Sequence, residues 1–162
     1  MSIPLPSRRA TKLLARALAL AVKPGDLVIV SGPLGAGKTF LVRAALRELG
    51  LPEEEAVASP TFSLVHDYDL GLRLVHADLY RLGGVEELPA LGLSEERDAG
   101  AVLLVEWGEP YVAALGGDAL AITIRVRPGA DAANETSRSA TLEASGTRSR
   151  AALERMRAAL GA

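Results

Sequence analysis

The residues Gly32-Pro33-Leu34-Gly35-Ala36-Gly37-Lys38-Thr39 satisfy the pattern G-x-x-x-x-G-K-[ST] at every constrained position. Such a segment does phosphate chemistry. Its glycines let the chain fold tightly around phosphates, while consecutive N–H groups and a helix N-terminus offer partial positive charge. The lysine reaches the terminal phosphates and the hydroxyl enters a Mg²⁺ shell. The candidate nucleotide contacts are therefore Gly32, Leu34, Gly35, Ala36, Gly37, Lys38, Thr39 and Phe40. A magnesium-bound triphosphate also needs carboxylates at the ends of neighbouring strands. Asp78 closes the run RLVHAD and Glu106 closes AVLLVE, each where an apolar stretch turns polar. Either could hold Mg²⁺ through water while the other orients or deprotonates the attacking water. Lys38, Asp78 and Glu106 form the candidate catalytic set, and Thr39, Asp78 and Glu106 the candidate metal set. Thr61, in Ser59-Pro60-Thr61-Phe62, is the candidate γ-phosphate sensor, with Pro60 pinning the approach of the chain. Trp107, the only tryptophan, stands beside Glu106 as either a core cap or an aromatic contact at the site.

The elements that must position these groups follow from periodicity. Ser7 to Val22 places Leu14, Ala17, Leu18 and Ala21 at helical spacing, and Lys23-Pro24-Gly25-Asp26 stops it. LVIVS, residues 27 to 31, reads as a buried strand between breakers; the glycine loop follows, then a helix from Lys38 to Leu49 ending at Gly50. Phe62 to Tyr68 and Leu72 to Leu79 are strand candidates around Asp69-Leu70-Gly71, a plausible antiparallel hairpin that makes the sheet mixed. Val85 to Leu93 reads as a short helix interrupted at Pro89, and residues 101 to 106 as a central strand. Ala119 to Val126 and Ser139 to Ala144 alternate like edge or outer strands, and Arg148 to Leu160 forms a last helix. The order strand, glycine loop, helix predicts an α/β P-loop nucleoside triphosphate hydrolase fold, three layers around a mixed central sheet.

Composition narrows the classes. A chain of 162 residues is one domain, read as a nucleotide domain over residues 1–146 and a basic C-terminal helix over 147–162. That last segment carries four arginines against one glutamate and reads as a helix closing the core with solvated arginines or as a docking surface. The net charge of -2 advertises no global attraction to nucleic acid or membrane. Without cysteine, disulfides and thiolate chemistry are excluded, and His66 and His76 read as satisfied strand histidines rather than zinc ligands. The N-terminus lacks a charged region followed by a long apolar core, so cytoplasmic residence is expected.

GPLGAGKT, SPTFSLV (59 to 65), HADLYRL (76 to 82) and LLVEWGE (103 to 109), in this order, closely resemble the bacterial TsaE family, formerly called YjeE. These are small P-loop ATPases of tRNA threonylcarbamoyladenosine synthesis. The resemblance covers roughly residues 5 to 146. It implies that Gly35, Gly37, Lys38 and Thr39 bind the phosphates of ATP and Mg²⁺, that Thr61 belongs to a nucleotide-responsive loop, and that Asp78 and Glu106 are the essential acidic pair. It further implies that Trp107 borders the site, and that Tyr80 and Arg81 contact or position. The implied partners are the TsaD and TsaB proteins, which carry the transfer to adenosine; the sequence leaves direct and indirect contact with tRNA both open. Pro33 stands where relatives commonly have an acidic residue, Phe40 where a second threonine is frequent and Ala44 where a glycine is usual. Phe40 leaves Thr39 as the sole hydroxyl at the loop.

The reading that results is a Mg²⁺-dependent ATP hydrolase acting as an accessory subunit of tRNA modification. Its rivals are a non-catalytic, nucleotide-gated interaction module and a small-molecule phosphotransferase, the latter disfavoured because no lid or acceptor-binding insertion is visible. Glu106 is expected to matter more for hydrolysis, and Asp78 more for Mg²⁺-dependent nucleotide binding.

Overall fold

A computed structural model describes residues 1–58, 64–126 and 138–161. The strand before the glycine loop, β2 (Leu27–Ser31), is buried along its whole length, as an apolar run covered on both faces must be. It lies inside a seven-stranded sheet with β1 (Ser2–Leu5), β3 (Val65–Asp69), β4 (Arg73–Asp78), β5 (Val102–Glu106), β6 (Ala119–Val126) and β7 (Arg138–Ala144). The order is β1-β7-β6-β2-β5-β4-β3. The central strands β6, β2, β5 and β4 are parallel, and β7, β1 and β3 add antiparallel pairings at the flanks.

Alternate side chains of β2 feed two cores. Val28 and Val30 pack with Leu14 and Leu18 of α1 (Arg8–Ala21) and Leu41 and Val42 of α2 (Lys38–Glu48). Leu27 and Ile29 pack with Leu88, Leu93 and Tyr111 on the opposite face. That face is covered by a 3₁₀ segment, Val85–Leu91, by α3 (Leu93–Asp98) and by a short 3₁₀ turn, Glu109–Tyr111. The result is the three-layer P-loop fold with a mixed sheet. Among the described residues no helix is long and apolar enough to cross a membrane.

Three features depart from the sequence reading. Residues 119–126 and 139–144, expected as edge or outer strands, do not form an edge: β6 pairs with β2 inside the sheet, and β7 is an outer strand next to last, between β6 and β1. The alternation of β6 arises because Ala121 and Thr123 are only half-covered on one face while Leu120, Ile122 and Ile124 enter the core. The edge on this side, β1, is four residues with an internal proline, Pro4, too short for a periodic signal but suited to a sheet margin; β3 is the other edge. Finally, Pro89 sits within a 3₁₀ segment that ends at Gly92, and α3 restarts there as a separate helix. The β3–β4 hairpin, by contrast, forms as expected, turning at Gly71 with φ of 74°; of the first strand's expected start, residues 62 and 63 lie outside the described residues, and Leu64, with φ of 60°, precedes β3.

α4 (Thr147–Leu160) buries Ala152 and Met156 in the same core as α1. Asp118, at the entry to β6, covers its N-terminus: Oδ2 accepts from the Arg148 N–H at 2.8 Å and Oδ1 from the Ser149 N–H at 2.9 Å. An acidic group here satisfies orphan donors and complements the helix dipole. Arg155 donates to the Ala21 carbonyl at 2.6 Å, and Arg148 to Pro24 at 2.5 Å, so two of the helix's arginines are tied to the α1–β2 connection. Burial pushes the Asp118 carboxyl up, but hydrogen bonds from Ser149 and Arg148 and the nearby Arg97 outweigh it and leave the pKa below the usual 3.8. A carboxyl lowered on folding adds stability above its unfolded pKa and loses it as pH falls through the folded value. Asp118→Ala is therefore expected to cost about 1 kcal/mol at pH 7, typical of a lost helix cap. Urea unfolding from pH 7 down to pH 2 should show this difference shrinking below pH 4.

Candidate functional site

The glycine loop begins where β2 meets β6. Gly32 has φ of 139°, and a Cβ there would stand 2.3 Å from the Ile124 carbonyl oxygen, so only glycine lets the two backbones approach this closely. Gly37, with φ of 105°, turns the chain into α2. Lys38, the first residue of that helix, is only 5% exposed, and its Nζ donates to the carbonyls of Gly32 at 2.8 Å and Pro33 at 3.0 Å. The same ammonium lies 4.0 Å from the centre of the Trp107 ring, within cation–π range. Burial lowers its pKa below the ordinary lysine value, against the pull of Glu106, Asp78 and Glu109. Lysine thus sits between carbonyl dipoles, an aromatic face and carboxylates, all of which favour its charge.

The two candidate carboxylates arrive together by strand register. β4 and β5 pair in parallel with Asp78 opposite Glu106, so two consecutive strands end in acid at one level of the sheet. Both are buried. Glu106 Oε2 accepts from the Thr39 hydroxyl at 3.0 Å, which fastens the loop's helix to β5. Asp78 Oδ1 accepts from the Tyr80 N–H at 3.0 Å. Trp107, with φ of 59°, leaves the strand in a left-handed conformation, and its ring meets Tyr80 at 4.9 Å between centroids. Of the two readings of this residue, core cap or site aromatic, its contacts are those of the second.

Leu34, Gly35, Gly37, Lys38, Thr39, Phe40, Asp78, Tyr80, Arg81, Glu106 and Trp107 line one cleft of about 430 Å³. Gly37 and Phe40 also line a second, of about 310 Å³, with Leu5, Arg8, Thr11, Ala36, Ile124 and Arg138. The sequence-derived residues thus converge on the first cleft, apart from three: Ala36 lines only the second, Gly32 contributes its backbone turn, and Thr61 lies outside the described residues. His76 is what sequence reasoning missed. It is wholly buried, and its Nε2 lies 2.9 Å from Glu106 Oε1. Its position two residues before Asp78, on the same strand face, was the available signal.

The donor set consists of oxygens: the Thr39 hydroxyl and two carboxylates. Among the described residues no group of three or more His, Cys, Asp or Glu forms a dedicated metal cage. That suits Mg²⁺, which prefers one or two carboxylates and completes its shell with water and phosphate oxygens.

A glycine loop between a buried parallel strand and a helix, with in-register carboxylates on the adjacent strands, defines a P-loop nucleotide-binding protein. The model of the family described as threonylcarbamoyl adenosine biosynthesis protein TsaE matches residues 5–136, and the chain belongs to that family. It is 44% identical over 115 residues to the tRNA threonylcarbamoyladenosine biosynthesis protein TsaE of Streptomyces coelicolor, covering 68% of this chain and 76% of that one. The protein of the same name from Rickettsia conorii is 42% identical over 106 residues, 65% of this chain. The match spans 59% of the Rickettsia conorii protein and 61% of its Rickettsia felis counterpart. The crystal structure of Bacillus subtilis YdiB superimposes with a TM-score of 0.72 at 30% identity, covering 96% of this chain and 93% of that one.

Gly32→Ala combines a left-handed φ with a backbone clash, and such strain at a special backbone position is expected to cost about 2 kcal/mol or more. Urea unfolding of this variant beside Gly35→Ala checks it, since a Cβ at Gly35 meets nothing within 4 Å.

Proposed function

We propose that the chain hydrolyses ATP with Mg²⁺ as the ATPase subunit of tRNA threonylcarbamoyladenosine modification, acting in the cytoplasm with the TsaD and TsaB proteins. The observation that carries this reading is the Thr39–Glu106 hydrogen bond beside Asp78, which joins a phosphate loop to an acidic strand end at 3.0 Å. Family membership supplies the pathway, and the resemblance supplies the partners.

In this reading the loop N–H groups and Lys38 hold the phosphates, the second cleft takes the nucleoside end, and Gly37 and Phe40 stand between the two. Mg²⁺, when bound, neutralises charge on the terminal phosphate oxygens. Thr39 and Glu106 would hold it, because their side chains already meet. Asp78 then has the water-positioning role. This division differs from the one expected from strand position alone, and the Thr39 contact is the reason. The Trp107 ring, against which Tyr80 packs, covers one side of the Lys38 ammonium, and that cover would strengthen its attraction to phosphate. Thr61 is proposed as the γ-phosphate sensor.

Phosphate release from ATP, measured with Mg²⁺ or EDTA and with or without TsaD and TsaB, tests the proposal. Mg²⁺-dependent release that rises with the partners is the expected result; no release under any condition would leave a nucleotide-gated module. Lys38→Ala should cut turnover by at least about 100-fold, by analogy with a deleted oxyanion donor at ~2.7–4 kcal/mol. Calorimetry should show Glu106→Gln losing more Mg²⁺-dependent ATP affinity than Asp78→Asn.

A further inference from the structure

Glu106 is 2% exposed, and each of its carboxylate oxygens has one side-chain partner: Thr39 on Oε2 and His76 on Oε1. His76 lies on β4 opposite Leu104, so it reaches Glu106 on the diagonal across the β4–β5 pair. Its neighbours along that face, Leu74, Val102 and Leu104, are all core residues. An imidazole in such a layer costs free energy relative to leucine unless its polar atoms are used. Among the described residues Nδ1 has no hydrogen-bond partner, and the ring's polar contact is with Glu106. A ring with its proton on Nε2 donates to the carboxylate and leaves at Nδ1 only a bare lone pair.

We infer that His76 is a positioning residue, holding Glu106 turned so that Oε2 faces Thr39 and thereby setting how tightly the site binds Mg²⁺ together with nucleotide. This rests on the reading of the site as one for Mg²⁺ and ATP. A carboxylate on a three-bond side chain has several rotamers, and one bond to Thr39 fixes only one of its oxygens. The second bond, from a fully buried ring on a different strand, removes the remaining freedom. Loss of the ring would leave a buried oxygen unpaired and free the carboxylate to turn from the hydroxyl.

The test uses Trp107, the only tryptophan, whose ring borders the cleft beside Lys38. Its emission is followed while Mg²⁺ is titrated into the full chain with ATP, and while ATP is titrated in EDTA. The proteins are wild type, His76→Gln, whose amide reaches the position of Nε2, and His76→Asn, whose amide does not. Urea unfolding without ligand establishes that each is folded; His76→Leu replaces the Asn variant if that one is not. Losing the partner of a metal ligand commonly costs 10–100-fold in metal affinity, so His76→Asn should raise the Mg²⁺ midpoint at least about tenfold. ATP binding in EDTA should stay near wild type, and His76→Gln should recover most of the Mg²⁺ response. A wild-type midpoint in His76→Asn, no recovery in His76→Gln, or an equal loss of affinity in EDTA would each overturn the inference. A wild-type protein whose emission answers to neither ATP nor Mg²⁺ would overturn the reading of the site and this inference with it. That failure appears in the wild-type arm alone, so the two are distinguishable.

Discussion

A carboxylate withdrawn from water is tolerated only where other groups replace its hydration, and Glu106 is such a carboxylate. Its replacements come from two separate parts of the chain, the first turn of α2 through Thr39 and the interior of β4 through His76. The charge therefore fixes relative positions as well as depending on them. Were β4 to slip by one residue against β5, His76 and Asp78 would turn to the opposite face of the sheet and Glu106 would be buried without its ring partner. The register that places Asp78 opposite Glu106 is thus the register that keeps the buried charge paired.

The glycine loop depends on the other side of β2 in a comparable way. Gly32 passes so close to the Ile124 carbonyl that the loop is seated against β6, and β6 follows directly on Asp118, the residue that covers the N-terminus of α4. Arg155 and Arg148 return from α4 to the carbonyls of Ala21 and Pro24, at the connection leading into β2. The path runs from the C-terminal helix through β6 to the loop and back through the α1–β2 connection. A segment that composition marks as a basic appendage is in this way coupled to the geometry of the strand that carries the loop, although it contributes nothing to either cleft.

The parts legible in sequence were those with a strong local cause. The glycine loop, the buried strand before it, the helix after it and the two acidic strand ends each announce themselves through residue type and spacing, and all meet in space. The hairpin at Gly71 was legible for the same reason, a turn residue between alternating runs. What sequence could not convey depends on cover and pairing. Whether β6 lies inside the sheet or at its margin is decided by what packs over Ala121 and Thr123, and partial cover on one face looks like an edge. β1 has four residues and owes its form to β7, so it carries no periodicity of its own. His76 is ordinary as a strand residue and acquires a partner only through register.

Fold alone does not assign chemistry, since phosphate loops serve many reactions, and what distinguishes this site is the loop's side chains. The residue after the loop threonine is Phe40, which lines both clefts and offers no hydroxyl. Thr39 then carries the loop's single hydroxyl, and it is already engaged by Glu106. Any cation drawn to that hydroxyl is drawn to the carboxylate as well, because the two oxygens lie 3.0 Å apart. Thr39 and Glu106 consequently act as a unit. An arrangement with a second hydroxyl could share a cation between alternatives, whereas on the reading proposed for this site its affinity would be bound to how firmly one glutamate is held. On that reading the rigidity of the Glu106 carboxylate, and not the number of ligands, would govern how tightly the site holds its cation.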